Sequence, residues 1–172
     1  MFRPMRRKGQ ALPPEACTAI LRQGSCGVLA LAGDDGYPYA VPVSYVHDGE
    51  RIYFHSAKAG HKLDAIQREP KASLCVVDQD LVVPEEYTSY FRSVIAFGVI
   101  HPVEAEEEKW AAIEKLALKY APHDTAANRR ETIQREWEPL CMLRMDIQHL
   151  TGKEAIELVR QRQQEASVLL DE

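Results

Sequence analysis

Between Tyr37 and Lys62 the chain reads YPYAVPVSYVHDGERIYFHSAKAGHK, and this run restricts the fold more than any other. Two apolar, β-prone stretches flank Asp48-Gly49, a dipeptide suited to a tight hairpin turn. A third stretch, SCGVLALAG (25–33), precedes them and is separated by Asp34-Asp35-Gly36, a second turn signal. Strands joined by such short turns can only pair antiparallel, because a parallel pair needs a crossover of a dozen residues or more. Pro38 and Pro42 remove two backbone donors from the middle strand, so it must be an edge, bulged or locally irregular.

The remaining elements fit the same plan. Pro13 and Pro14 open a helix that Gly24 stops, and HKLDAIQRE (61–69) is a short helix ended by Pro70. KASLCVVDQ (71–79) and RSVIAFGVIHPVE (92–104) read as strands separated by a loop-like segment, 80–91, with Gly98 marking a bend or a close backbone approach. Glu104 to Ala121 is amphipathic, with Trp110, Ile113, Leu116, Ala117 and Tyr120 at helical spacing as a core-facing stripe. A more polar helix is expected from Thr125 to Glu138, a last strand over 140–150, and a final helix from about Gly152, capped by Thr151. Six strands joined largely by hairpins, with helices inserted late, predict a small antiparallel barrel flanked by helices, in one domain spanning 1–172. A basic arm (1–10) and a polar tail (about 163–172) bound it, the arm being a solvated segment available to a partner.

Composition narrows the function. A formal net charge of −5 argues against general nucleic-acid binding. No apolar run approaches the roughly 18–20 residues of a membrane-spanning helix, so a cytoplasmic location is expected. Cys17, Cys26, Cys75 and Cys141 are far apart and mostly in apolar runs, where cysteine acts as a small hydrophobe; neither a metal site nor a disulfide framework is expected. His47 is expected to face solvent at a turn, while His101 and His149 end strands in structural roles.

Three groups of residues could carry chemistry. His55, Ser56, Gly60, His61 and Lys62 place hydroxyl, imidazole and ammonium groups at a helix N-terminus, where free N–H groups and the helix dipole suit a phosphate. An ordinary strand-to-helix turn with surface His and Lys is the competing reading. Val41, Pro42, Val43 and Ser44 form a strand whose proline frees neighbouring backbone groups for a planar heterocycle, or else a plain β-bulge. Arg92 and Ser93 open an apolar strand, either as a bidentate phosphate clamp or as a rim arginine. Tyr87, Tyr90 and Phe91 could stack on a planar molecule.

Taken in order, the VPVSY strand, the IYFHSAKAGHKLD strand–loop–helix, the FRSVIAFG strand and the late strand leading to HLTGKE resemble the FMN-binding split-barrel superfamily related to pyridoxamine 5′-phosphate oxidase. The likeness is nearest to its 5-nitroimidazole antibiotic resistance branch and covers about residues 1–160. It implies a six-stranded split barrel, mainly β with flanking helices, and a homodimer with FMN between the subunits. It also implies that Val41, Pro42, Val43 and Ser44 lie along the flavin ring, and that His55, Ser56 and Ala57, with His61 and Lys62, hold the ribityl chain and phosphate. Arg92 and Ser93 stand where the oxidase has an Arg-Gln pair. LTGKEAIELVR lacks the oxidase's Arg and His substrate motif, which disfavours pyridoxamine phosphate as substrate. The expected function is an FMN-dependent oxidoreductase passing electrons from a reduced donor to a small aromatic or nitro acceptor. His61 is the candidate acid or base, since histidine titrates near neutrality. The rival readings are a non-catalytic flavin-binding or sensing protein and a haem-handling barrel.

Overall fold

A computed structural model describes residues 1–168, with side chains described through 164. Its strands are β1 (Gly27–Ala32), β2 (Pro38–Val43), β3 (Val46–Asp48), β4 (Arg51–Ala57), β5 (Lys71–Val83), β6 (Thr88–Pro102) and β7 (Leu140–Glu154). The helices are α1 (Pro14–Gln23), α2 (His61–Arg68), α3 (Glu106–Tyr120), α4 (Ala126–Arg135) and α5 (Ile156–Val168). The strands form one antiparallel sheet of seven, in the order β2-β1-β5-β6-β7-β4-β3. This corrects the expectation of a six-stranded barrel: the sheet is open, with β2 at one edge and β3 at the other.

The correction has a local cause. The strand expected over 37–47 is broken at Ser44 and Tyr45, and its halves belong to opposite edges. Only this two-residue link joins them, so Val43 and Val46 lie no more than ~11 Å apart along the chain. The sheet must therefore curl until its edges nearly meet, without a ladder to close the seam. The prolines fit this placement. Pro42, opposite Val28, sits on edge strand β2, where a missing N–H donor is tolerated.

The concave side of the curled sheet holds the main core. Leu29, Phe54, Leu74, Val94, Leu143 and Tyr45 are buried there with Leu21 of α1 and Ile66 of α2. A second, smaller cluster lies on the outside of β4 and β7, where Tyr53, Met142 and Leu140 pack against Ala112 of α3 and Trp137. The α3 stripe is thus rotated from expectation: Lys109, Ala112 and Leu116 face inward, while Trp110 is only half-buried and Tyr120 reaches out to a hydrogen-bonding role.

Several boundaries also move. The loop expected at 80–91 is mostly strand: β5 runs to Val83 and pairs with Thr88 across a short turn at Pro84–Glu86. Thr151 and Gly152 belong to β7 rather than to a helix cap, and α5 starts at Ile156. The polar tail is helical through 168, and its last four positions lie outside the described residues. The basic arm packs on this chain's own sheet, with Phe2 stacked on His149 (4.6 Å between ring centroids), and just after it Leu12 N–H donates to Gly152 O at 3.0 Å. His47 is buried instead of solvent-facing, and burial lowers its pKa. Cys26 is exposed rather than core. Gly98 does mark a close approach: it sits opposite a bulge in β7 at Gln148, where a Cβ would come within 2.3 Å of Asp146 O.

No described helix is long and apolar enough to cross a membrane.

Candidate functional site

The site is built where β4 hands over to α2. Ladder pairing sets Ser56 opposite Cys141 and His55 opposite Met142 at the start of β7. Four residues later Gly60 caps α2 with φ +120°, a conformation in which a side chain would be strained. This positive φ turns the chain sharply, so the N–H groups of the first turn of α2 are presented beside the end of β4. Three carboxylates stand near this end: Glu138, paired with Lys58 at 3.8 Å, Asp34, paired with Arg68 at 2.6 Å, and Asp64 within the first turn of α2.

Lys62 is half-buried there, yet it makes no ion pair or hydrogen bond among the described residues. Desolvation holds its pKa below the ordinary lysine value, outweighing the opposing effect of Cys141. A cation removed from water without a counter-charge is costly unless something else supplies the charge. The residues present therefore fit a phosphate. His55 keeps contact with solvent, but the protein around it lowers its pKa, and the nearby Lys62 charge adds to that effect.

His61 points elsewhere. Its ring stacks on Tyr39 of β2 (centroids 4.0 Å apart), and its Nε2 lies 3.4 Å from Asp34 Oδ2. Asp34 is also bound by Arg68 from the last turn of α2, at 2.6 Å. His61 thus fastens α2 to the β1–β2 turn. The link residues come to the same side of the sheet: Val46 lies opposite Tyr53, so the chain before it runs Ser44 back toward His55. Pro42 and Ser44 are exposed, Val41 is half-buried and Val43 is buried.

Arg92 and Ser93 are not brought to this place within one chain. Arg92 is paired with Glu154, and Ser93 with Lys153, at the far end of β7. Cys141 and Glu154 are thirteen residues apart on that strand, ~40 Å of extended chain. Nor is Arg92 free. Its guanidinium lies 3.3 Å from Asp78 and 3.5 Å from Glu154, a carboxylate only 2% exposed that Arg162 also meets at 2.7 Å. Tyr87, Tyr90 and Phe91 stand on the β5–β6 hairpin: Tyr87 is 98% exposed in a left-handed conformation, and Tyr90 donates to Glu86.

Beside His55 the structure adds a pocket that the sequence did not signal. It has a volume of about 400 Å³ and is bounded by the end of β4 and by the facing sides of α3 and α4. Its walls are Ile113, Leu116 and Ala117, whose helical spacing in α3 reads as core, with Ile133 of α4 and Leu140 at the start of β7. Nothing in the local pattern distinguishes an apolar side chain packed on a neighbour from one lining an opening.

The seam is fixed from outside by the last turn of α3. The Lys119 ammonium donates to Gly24 O at 2.6 Å and to Tyr45 O at 3.0 Å, and lies over the Tyr45 ring. Tyr45 N–H donates to the Tyr120 hydroxyl at 2.9 Å, and that hydroxyl donates to Ser25 O.

The chain is similar to known proteins. An uncharacterized protein of Rhizobium meliloti (strain 1021) is 38% identical over 117 residues, which span 63% of this chain and 71% of that one. Among solved structures, a protein described as a 5-nitroimidazole antibiotic resistance protein from Bacteroides thetaiotaomicron VPI-5482 superposes with a TM-score of 0.68 at 19% identity, covering 84% of this chain and 86% of that one. A FAD-binding protein from Mesorhizobium loti gives 0.64 at 22% identity, over 85% and 97% of the two chains. A FAD- and haem-binding protein from Mycobacterium smegmatis gives 0.70 at 20%, over 86% and 73%. At these identities the likeness is one of fold. A family model described as pyridoxamine 5′-phosphate oxidase matches residues 13–154, and this chain belongs to that family.

Proposed function

We propose that this protein binds FMN, with its phosphate at Lys62 and the N-terminus of α2, and works as an oxidoreductase toward a small aromatic or nitro acceptor. The observation that carries the reading is Lys62, a half-buried ammonium with no counter-charge among the described residues, beside the free N–H groups that follow Gly60. Family membership and FAD-binding structural relatives support a flavin cofactor.

When bound, the flavin would supply the redox chemistry, taking electrons from a reduced donor and passing them on. The chain would bind and orient it. Lys62 and the first turn of α2 would hold the phosphate, and Ser56 would offer a hydroxyl to the ribityl chain. The exposed edge at Pro42 and Ser44 would lie along the ring. His61, the sequence's candidate for moving a proton, is already engaged by Tyr39 and Asp34 and would act by positioning α2. His55 stands nearer the pocket, and its lowered pKa keeps it neutral near pH 7, able to donate at one nitrogen and accept at the other.

A homodimer is part of the proposal. Arg92 and Ser93 lie too far along β7 to meet a flavin held at their own chain's Lys62, so only a second copy would bring that end of β6 near it, with Arg92 still bound to Asp78 and Glu154 and adding little to affinity. Exposed Val77, Leu81 and Val82 on the long β5–β6 hairpin offer apolar surface for that contact. Mass spectrometry of the small molecule released on denaturation tests the reading: FMN is expected, and FAD, a deazaflavin or haem would each overturn the assignment. Turnover with a reduced nicotinamide then separates an enzyme from a flavin-binding or sensing protein. A flavin-loaded species of 19.5 kDa in sedimentation would remove the dimer.

A further inference from the structure

We infer that the pocket between β4, α3 and α4 is a binding site for a small neutral aromatic molecule bearing one hydroxyl or carbonyl group. The opening between the sheet and the two helices has a volume of about 400 Å³, in the range of small-molecule sites, and its lining is mostly apolar.

The chemistry of the walls selects the occupant. Ile113, Leu116 and Ala117 from α3 face Ile133 from α4, and Leu140 closes the base, so the body of the ligand must be apolar. Glu136 stands at the rim. An anionic ligand would be repelled there, and any net charge would be buried against hydrocarbon along the walls. A neutral ring avoids both costs. A rigid ring also loses less conformational freedom on binding than a flexible chain. His55 is the polar group best placed to orient it, since a neutral imidazole can donate to a carbonyl or accept from a hydroxyl.

The inference deepens the flavin reading, because such a ring would be the acceptor; binding itself requires no flavin. The probe is 1-naphthol, titrated into the full chain and followed by NMR. Saturable shifts are expected, with intermolecular NOEs from the naphthol ring to the methyls of Leu116 and Ile133. Ala117→Phe, which fills the pocket, should weaken binding by roughly tenfold or more. Naphthalene-1-sulfonate should bind at least ~10-fold more weakly than naphthol, since its charge is poorly solvated between these walls. Absence of saturation, NOEs confined to residues outside the pocket, equal affinity for the sulfonate, or binding seen only after a dimer is dissociated would each overturn the inference. If Ala117→Phe does not fold, the NOE pattern of the unaltered chain decides. Flavin content of the same sample is scored separately: naphthol binding without any flavin would leave the pocket and remove the flavin reading, and flavin without naphthol binding would do the reverse.

Discussion

Lys62 and Arg92 are both cations beside β7, and both suit an anion by residue type, but the structure treats them in opposite ways. At the start of β7, Lys62 is half-buried with no counter-charge among the described residues, and desolvation lowers its pKa. At the end of β7, Arg92 sits between Asp78 and Glu154, with Arg162 sharing the buried carboxylate. The first arrangement leaves positive charge for a ligand. The second is balanced within the chain, two guanidiniums against two carboxylates. A cation's residue type states only what it could bind, and the neighbouring carboxylates decide whether it is available.

The largest expected effect tests the balanced end. Glu154→Leu leaves Arg92 and Arg162 facing each other without the carboxylate between them, and a loss of about 3 kcal/mol is expected, somewhat reduced by the water that both arginines still touch. Urea denaturation measures it, and a loss under ~1 kcal/mol would mean that the cluster does little for folding. The open end comes next. Lys62→Ala removes one charge-assisted contact, worth on the order of 1.5–3 kcal/mol, and should weaken FMN about 10- to 100-fold while changing riboflavin little. Arg92→Ala should change FMN affinity by less than ~5-fold, because its charge is already matched. Equal losses from the two substitutions would erase the contrast.

Tyr120→Phe tests the seam next to the open end. It removes the hydroxyl that accepts from Tyr45 N–H and donates to Ser25 O, at an expected cost of about 1–2 kcal/mol in thermal or urea unfolding. Removal without cost would show that the curl of the sheet needs no latch from α3.

The smallest effect is in pH. The Lys62 pKa is depressed in the folded chain, so the unfolded chain holds that proton more tightly. Stability should therefore rise as pH climbs from the folded value toward the ordinary 10.5, by less than ~1.4 kcal/mol per unit. Lys62→Met should lack that increment when both proteins are unfolded in urea across pH 7–10.5. An identical slope in the two would show that Lys62 is fully solvated.

Much of the local structure was legible in the chain. The turns after β1 and β3, the start of α1 at Pro14 and the stop at Pro70 all rest on residues whose backbone limits act over one or two positions. The segment 80–91 misled because Pro84 and its acidic neighbours look like a loop, whereas Val83 and Thr88 are strand by virtue of pairing with each other. The site was half legible. HSAKAGHK announced the turn into α2, but not that His61 would be occupied by Tyr39 and Asp34 or that Lys62 would have no ion pair among the described residues.

By itself the sequence determined an antiparallel, hairpin-built protein with a glycine-capped helix following β4, because those features depend on turn chemistry and on the period-2 pattern of neighbouring residues. The tertiary structure alone decided that β2 and β3 lie at opposite edges of a curled open sheet, that a pocket opens between α3 and α4, and that Arg92 is matched by carboxylates. These outcomes depend on groups far apart in the chain: Lys119 and Tyr120 holding the link at Tyr45, and Glu154 facing Arg92 across a ladder. Local pattern fixes which elements form, but burial and the distance between charges are properties of the packed arrangement, and only the folded chain sets them.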